Sequence, residues 1–161
     1  MRGTTNTWTG PLTSAPSVLA LVNEMPAEAH ITRKHIHMNH WTSEELNAIG
    51  GAEELRVASL RRDGTLRNPL IVWVVRHGDD VYVRSVNGPT GAWYRGAQAR
   101  HQGRIRAGGI DKDVTFIDAD HGLDDQIDTA YRAKYRRYAA SIVGSVTTPQ
   151  ARATTTRLLP R

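Results

Sequence analysis

The stretch of this sequence richest in chemistry is Val83-Arg84-Ser85-Val86-Asn87-Gly88-Pro89-Thr90-Gly91-Ala92-Trp93-Tyr94-Arg95-Gly96. It reads as a strand running into a glycine-containing loop and then into the first turn of a helix. A helix start offers unpaired backbone N–H groups and a partial positive charge, which suits phosphate. The glycines let the backbone approach a ligand closely. Arg84 and Arg95 flank the loop and can hold phosphate oxygens in forked geometry. Ser85 and Asn87 add neutral donors, and Trp93 and Tyr94 offer flat surfaces to a ring. The combination points to a phosphate-bearing cofactor. The dinucleotide and ATP-loop glycine patterns are absent. No Ser-His-acid or G-x-S-x-G arrangement points to a hydrolase.

The elements that must position this loop follow from patterning. Thr42 is a plausible N-cap, with Glu45 as its capping-box partner, for a helix that stops at Gly50-Gly51. Leu55 to Leu60 reads as a strand, and Arg62-Asp63-Gly64-Thr65 as a turn. Pro69 to Arg76 is apolar on both faces, which predicts a central strand. Val81 to Val86 returns as its neighbour. A short helix is predicted over Ala92 to His101. A hairpin follows, with arms Arg104 to Ala107 and Val114 to Asp118 and its turn through Gly108 to Lys112. Asp124 to Tyr138 reads as a helix, and Ala151 to Leu159 as a last strand. Hairpins dominate and no parallel strand–helix–strand repeat occurs. The predicted class is mainly β with helices (α+β), a small antiparallel barrel.

The chain has 161 residues, enough for one core, with a formal net charge of +5 and no cysteine. The missing cysteine excludes a disulfide scaffold, thiolate zinc, iron–sulfur ligation and a thiol nucleophile. The longest apolar run, Leu70 to Val75, is far short of the roughly 20 residues of a spanning helix, so no membrane protein is expected. Residues 1–40 read as a poorly ordered extension ahead of a domain over 41–161. Val18 to Val22 is too short for a signal-peptide core, and a cytoplasmic protein is expected. His35, His37 and His40 lack a carboxylate within their run and read as a basic linker, so no metal is expected. Met38 is an alternative start.

The late sequence is polarised. Asp118, Asp120, Asp124, Asp125 and Asp128 precede a stretch whose charges are all basic. This suits a helix with acids at its start and bases at its end. A basic surface for an anionic ligand is the competing reading. The acids do not follow a calcium-loop pattern. Without a nucleic-acid-binding motif, a nucleic-acid partner is not expected.

From Asp63-Gly64-Thr65-Leu66-Arg67-Asn68-Pro69-Leu70 through Trp73-Val74-Val75, Asp79, Tyr82, Arg84-Ser85, Asn87-Gly88 and Ala92-Trp93-Tyr94, the sequence resembles the split-barrel flavin and deazaflavin proteins. The deazaflavin-dependent nitroreductase group is particularly similar. Over Trp41 to Thr155 the chain also resembles an uncharacterised branch of that superfamily, known only as a domain of unknown function. The resemblance implies a six-stranded split barrel, a homodimer, and a cofactor in a groove at the dimer interface, either FMN or a deazaflavin of the factor 420 type. Arg67, Ser85, Asn87, Gly88, Trp93 and Tyr94 fall where that group holds phosphate and ring. Tyr94 is followed by Arg95-Gly96, where the group has a His-Asn or Asn-containing pair.

The implied reaction is hydride transfer to a small organic substrate, with the cofactor supplying the redox chemistry. Arg67, Arg84 and Arg95 would meet the phosphate, and Trp73 or Trp93 would shape the substrate pocket. Tyr131 and Tyr135 are the candidate proton donors, with Tyr138 and His101 behind them. The alternative is a non-redox split barrel that binds a small molecule or a tetrapyrrole.

Overall fold

The computed structural model describes residues 40–161. The predicted extension over 1–40, its histidine run and Met38 as a start lie, His40 apart, outside the described residues. Helix α1 is Ser43–Gly51. The strands are β1 Leu55–Ser59, β2 Leu70–Val72, β3 Val74–His77 and β4 Asp80–Val83. Helix α2, Ala92–Arg100, leads to β5 Gln102–Ala107 and β6 Ile110–Asp118. Then come α3 Asp124–Lys134, α4 Ala140–Gly144, α5 Pro149–Arg152 and β7 Thr156–Pro160. None of the described helices is long and apolar enough to cross a membrane.

All pairings are antiparallel, in the order β2-β1-β5-β6-β7-β4-β3. The two ends of that order, β2 and β3, are one stretch of chain interrupted only at Trp73. Val72 pairs with Leu55 on one side, and Val74 pairs with Val83 on the other. The sheet therefore closes on itself through a covalent bend, as a split barrel. Six strands become seven because the predicted strand over Pro69 to Arg76 is cut in two. Its second half is buried on both faces as predicted. Its first half is not, since Leu70 and Ile71 are 43% and 55% exposed.

The bend has a physical cause. A strand that leaves one partner for another loses ladder bonds at the crossing, and a buried orphan backbone group is costly. Helix α3 supplies the substitutes. Tyr131 Oη donates to Trp73 C=O at 3.1 Å, and Lys134 Nζ donates to Val74 C=O at 2.7 Å. Tyr135 Oη accepts from Val74 N–H at 3.2 Å and donates to Glu53 C=O at 2.6 Å. Residues 131, 134 and 135 share one helix face by their spacing. The Trp73 indole stacks on Tyr135 with centroids 3.9 Å apart.

Two packed clusters flank β3 and β4. Val74, Val81 and Val83 point into the barrel with Leu55, Val57, Ile105, Val114, Phe116 and Leu158. Leu46 and Ile49 of α1 join them. Val75 and Tyr82 point outward beneath Ile127, Tyr131, Tyr135, Val143 and Val146. The Thr42–Glu45 capping box forms at the start of α1.

Several boundaries differ from those predicted: the strand predicted over Val81 to Val86 is Asp80–Val83, and the hairpin arm predicted from Arg104 begins at Gln102. The late hairpin turns through Gly108 and Gly109 alone, at φ +57° and +84°. Two successive positive φ values make the tight two-residue turn that matches strand twist, so β6 begins at Ile110 instead of Val114. Helix α3 ends at Lys134, short of Tyr138, although its apolar spacing continues. Ala151 and Arg152 are helical, and the last strand starts only at Thr156.

Removing the Tyr135 hydroxyl strands the Val74 amide. Tyr135→Phe is expected to destabilise the fold by about 1–3 kcal/mol in denaturant unfolding; an unchanged midpoint would contradict the clamp. Lys134 gives a second check. Burial pulls its ammonium down to about 8 from 10.5, against the pull of Glu53. Between those values the unfolded chain binds more protons, so the lysine's contribution to stability rises with pH. Wild type should therefore gain stability relative to Lys134→Met between about pH 7 and about pH 10, and a pH-independent difference would refute the half-buried placement.

Candidate functional site

β4 ends at Val83 because Arg84 turns inward. Its side chain is fully buried. Nε donates to Thr155 Oγ1 at 2.8 Å. One terminal nitrogen reaches Val146 C=O at 2.9 Å and pairs with Asp128; the other reaches Asp124 C=O at 3.1 Å. A buried guanidinium is tolerated when paired and hydrogen-bonded in this way. The pair joins β4 to α3, and the Val146 and Thr155 bonds bring in the chain on either side of α5. The Arg84 donors expected to meet phosphate are thus committed within the fold. Asp128, read from sequence only as part of an acidic helix start, is its partner.

Beyond Arg84 the loop is fixed from below. Ser85 N–H donates to Thr154 Oγ1 at 2.8 Å. Gly88 takes φ +69°, the left-handed turn that brings the chain back toward α2. A Cβ on Gly91 would fall 2.2 Å from Ser85 Oγ, so glycine is what seats the start of α2 over this serine. Gly91 gives the helix no side-chain cap, and Arg95 N–H makes the first bond back to Gly91 C=O. The amides of Ala92, Trp93 and Tyr94 have no intrahelical acceptor.

These groups border a cavity of about 350 Å³. One wall is the bent strand, Leu70 to Trp73. The loop supplies Arg84 to Asn87, the start of α2 Gly91 to Trp93, and α4 and the turn after it Ile142, Ser145 and Val146. Ser85 is 2% exposed and borders this space. It lies at the polar end of a largely apolar space.

Two further spaces continue round the first turn of α2. One, of about 270 Å³, shares Leu70, Ala92 and Trp93 with the main cavity and adds Ser59, Arg61, Arg67 and Asn68. The other, of about 360 Å³, is bordered by Arg67, Ala92, Arg95, Gly96 and Ala99. Ser59 Oγ is buried without a partner. A Cβ on Gly96 would strike it at 2.1 Å and would approach Arg67 Nε at 3.1 Å. The groove therefore runs from apolar to basic.

The structure gathers Trp73, Arg84, Ser85, Asn87 and Trp93 of the predicted residues on the main cavity, and Arg67 and Arg95 on its continuation. Gly88 serves the turn. Tyr94 packs edge-on against Trp93 at 5.9 Å and does not border the cavity; burial raises its phenol. Tyr131 and Tyr135 do not reach it either. Burial raises both phenols, Tyr135 to about 12, and their hydroxyls are held by backbone groups. Ser59 and Asp128 escaped sequence reading because neither belongs to a local motif. The described residues contain no cluster of three or more potential metal ligands.

Asp128→Ala would leave the buried Arg84 with only the more distant Asp124 carboxylate, 3.8 Å away, as an acidic partner. A loss of about 3–5 kcal/mol is expected, read by thermal or urea unfolding; a loss below 1 kcal/mol, roughly that of an exposed pair, would contradict the buried network.

No curated protein matches the chain. Among solved structures, an F420 reductase is 14% identical, with a TM-score of 0.46, covering 71% of this chain and 90% of its own. A proposed 5-nitroimidazole antibiotic resistance protein from Bacteroides thetaiotaomicron VPI-5482 is 12% identical, with a TM-score of 0.45, covering 74% and 79%. At these values the likeness carries no statement about activity. The family profile described as "Uncharacterized protein conserved in bacteria (DUF2255)" matches residues 45–158, which span the barrel and every element bordering the cavity, and the chain belongs to that family.

Proposed function

We propose that the groove binds a phosphate-bearing flat ring, FMN or a deazaflavin, and that the protein is an oxidoreductase acting on a small organic substrate. The observation that carries this reading is the uncapped start of α2, with Ser85 beside it, opening into a mostly apolar cavity next to a basic groove. The residues fit such a group. Trp73, Val72 and Trp93 offer apolar surface to a ring. Ser85 and the free amides of α2 offer hydrogen bonds to its polar edge. Arg67 and Arg95 lie across Ala92, where a phosphate would neutralise them. When bound, the ring would supply hydride chemistry, and the protein would hold it and limit water. Arg84 acts from beneath by fixing the loop. Leu70, Ile71, Val86 and Ile142 are exposed around the cavity, and a second copy covering them would give the expected homodimer.

A non-redox ligand-binding role is the second reading. It is favoured by one observation: among the described residues the only ionisable side chain bordering the main cavity is Arg84, already paired with Asp128. Titration of the protein with FMN and with a deazaflavin should quench the ring's fluorescence. Arg67→Ala and Arg95→Ala should each weaken binding by about 1.5–3 kcal/mol. Absence of quenching by both rings would overturn the proposal. Binding without oxidation of the reduced ring by any nitroaromatic or quinone would favour the second reading.

A further inference from the structure

Trp73 borders the cavity on one side and belongs to an aromatic stack on the other. Its ring centroid lies 3.9 Å from Tyr135, nearly parallel, and 5.0 Å from Tyr138. Tyr138 is half-buried. Its hydroxyl donates to the Glu53 carboxylate, which Arg137 also grips. The Arg137 guanidinium in turn lies 5.3 Å from the Tyr138 ring centre. The tyrosine nearest the indole thus has only backbone carbonyls to donate to, while the next one has a carboxylate.

We infer that Trp73, Tyr138 and Glu53 form a proton-coupled route that carries an oxidising equivalent out of the cavity to the protein surface. The oxidant is an aromatic one-electron acceptor lodged beside Trp73, such as a photoexcited isoalloxazine. It takes one electron from the indole and is reduced. The indole radical cation then takes one electron from Tyr138, while the phenolic proton moves to Glu53. The products are neutral Trp73, a neutral Tyr138 phenoxyl radical and a protonated Glu53, so charge and atoms balance. Tyr135 stacks on the indole but does not hold the radical. A phenol cation radical must shed its proton, and the acceptors within reach of Tyr135 Oη are the carbonyls of Glu53 and Val74. A thiol in solution can return a hydrogen atom to the phenoxyl oxygen of Tyr138. The route would spare the cavity walls from oxidation by a reactive ligand.

The route is separable from the cofactor reading, because a small inorganic oxidant can start it. Azide radicals from pulse radiolysis oxidise indoles in the intact full-length protein. Trp8 is replaced by Phe in every variant and in the reference protein, and of the described tryptophans Trp41 and Trp93 are 6% and 5% exposed, whereas Trp73 is less deeply covered. Transient absorption should show the tryptophanyl band decaying as the tyrosyl band grows, at a rate independent of protein concentration. Tyr138→Phe should abolish that growth and prolong the tryptophanyl signal. Tyr82→Phe should leave it intact. Glu53→Gln should slow the growth and remove its sensitivity to deuterated water. Trp73→Phe should remove the growth; since that variant alters the clamp, its folding is checked by circular dichroism, and Tyr138→Phe stands as the independent test. Tyrosyl growth that persists in Tyr138→Phe, or is absent in wild type, would overturn the route. Indifference to Glu53→Gln would overturn its proton step.

Discussion

The fold depends on how backbone groups are satisfied where one strand passes from one sheet partner to another. At Trp73 the chain leaves β1 and joins β4. The peptide groups there sit beside a hydrophobic cluster, where an unmet hydrogen bond is expensive. Two side chains of α3, Tyr131 and Lys134, and its C-cap Tyr135 meet them from outside the sheet. Because β2 and β3 are the two ends of the strand order, this point is also where the barrel closes. Helix α3 is therefore part of the closure and not a cover laid over a finished sheet. The break turns Trp73 between the cavity and the tyrosine stack.

The second constraint is Arg84. A guanidinium buried among Asp128, Thr155 and two carbonyls is a poor source of net stability but a strict one for geometry. It ties the end of β4 to α3 and to the chain around α5. Ser85 follows directly, and its hydroxyl lies beneath the glycine that begins α2. The polar end of the cavity is thus set by interactions deep in the fold. The polar groups on the ligand side include Ser85, Asn87 and Ser59, the amides of a helix start and two arginines across Ala92. On the proposed reading such a site would recognise its ligand by shape and by anion binding.

Local chemistry was legible in the sequence where its cause is local. Thr42 and Glu45 lie three residues apart and cap a helix as that spacing predicts. Gly91-Ala92-Trp93 begins a helix as read. The Gly108-Gly109 turn was placed too broadly, because Asp111, Lys112 and Asp113 look like loop residues. They belong to a strand whose acids pair across the ladder with Arg104 and Arg106. The break at Trp73 carries no glycine or proline, and apolar residues continue through it. Only tertiary contacts 58 and 61 residues away reveal it. Arg84 and Asp128 are likewise 44 residues apart. From sequence an arginine beside a glycine loop reads as a ligand contact, and its burial is decided by that distant acid. Tyr135 and Tyr138 kept helical spacing in the sequence although the helix ends before them.

The central claim is that the bend which closes the barrel also builds the ligand seat. Amide-resolved NMR of the full chain titrated with FMN tests it most directly. The account predicts that the resonances of Ser85, Ala92, Trp93 and Tyr94 move together with the Trp73 indole, along one saturable curve. Shifts confined to the outer hairpin around Arg104 to Asp113, or no saturable shift at all, would contradict it.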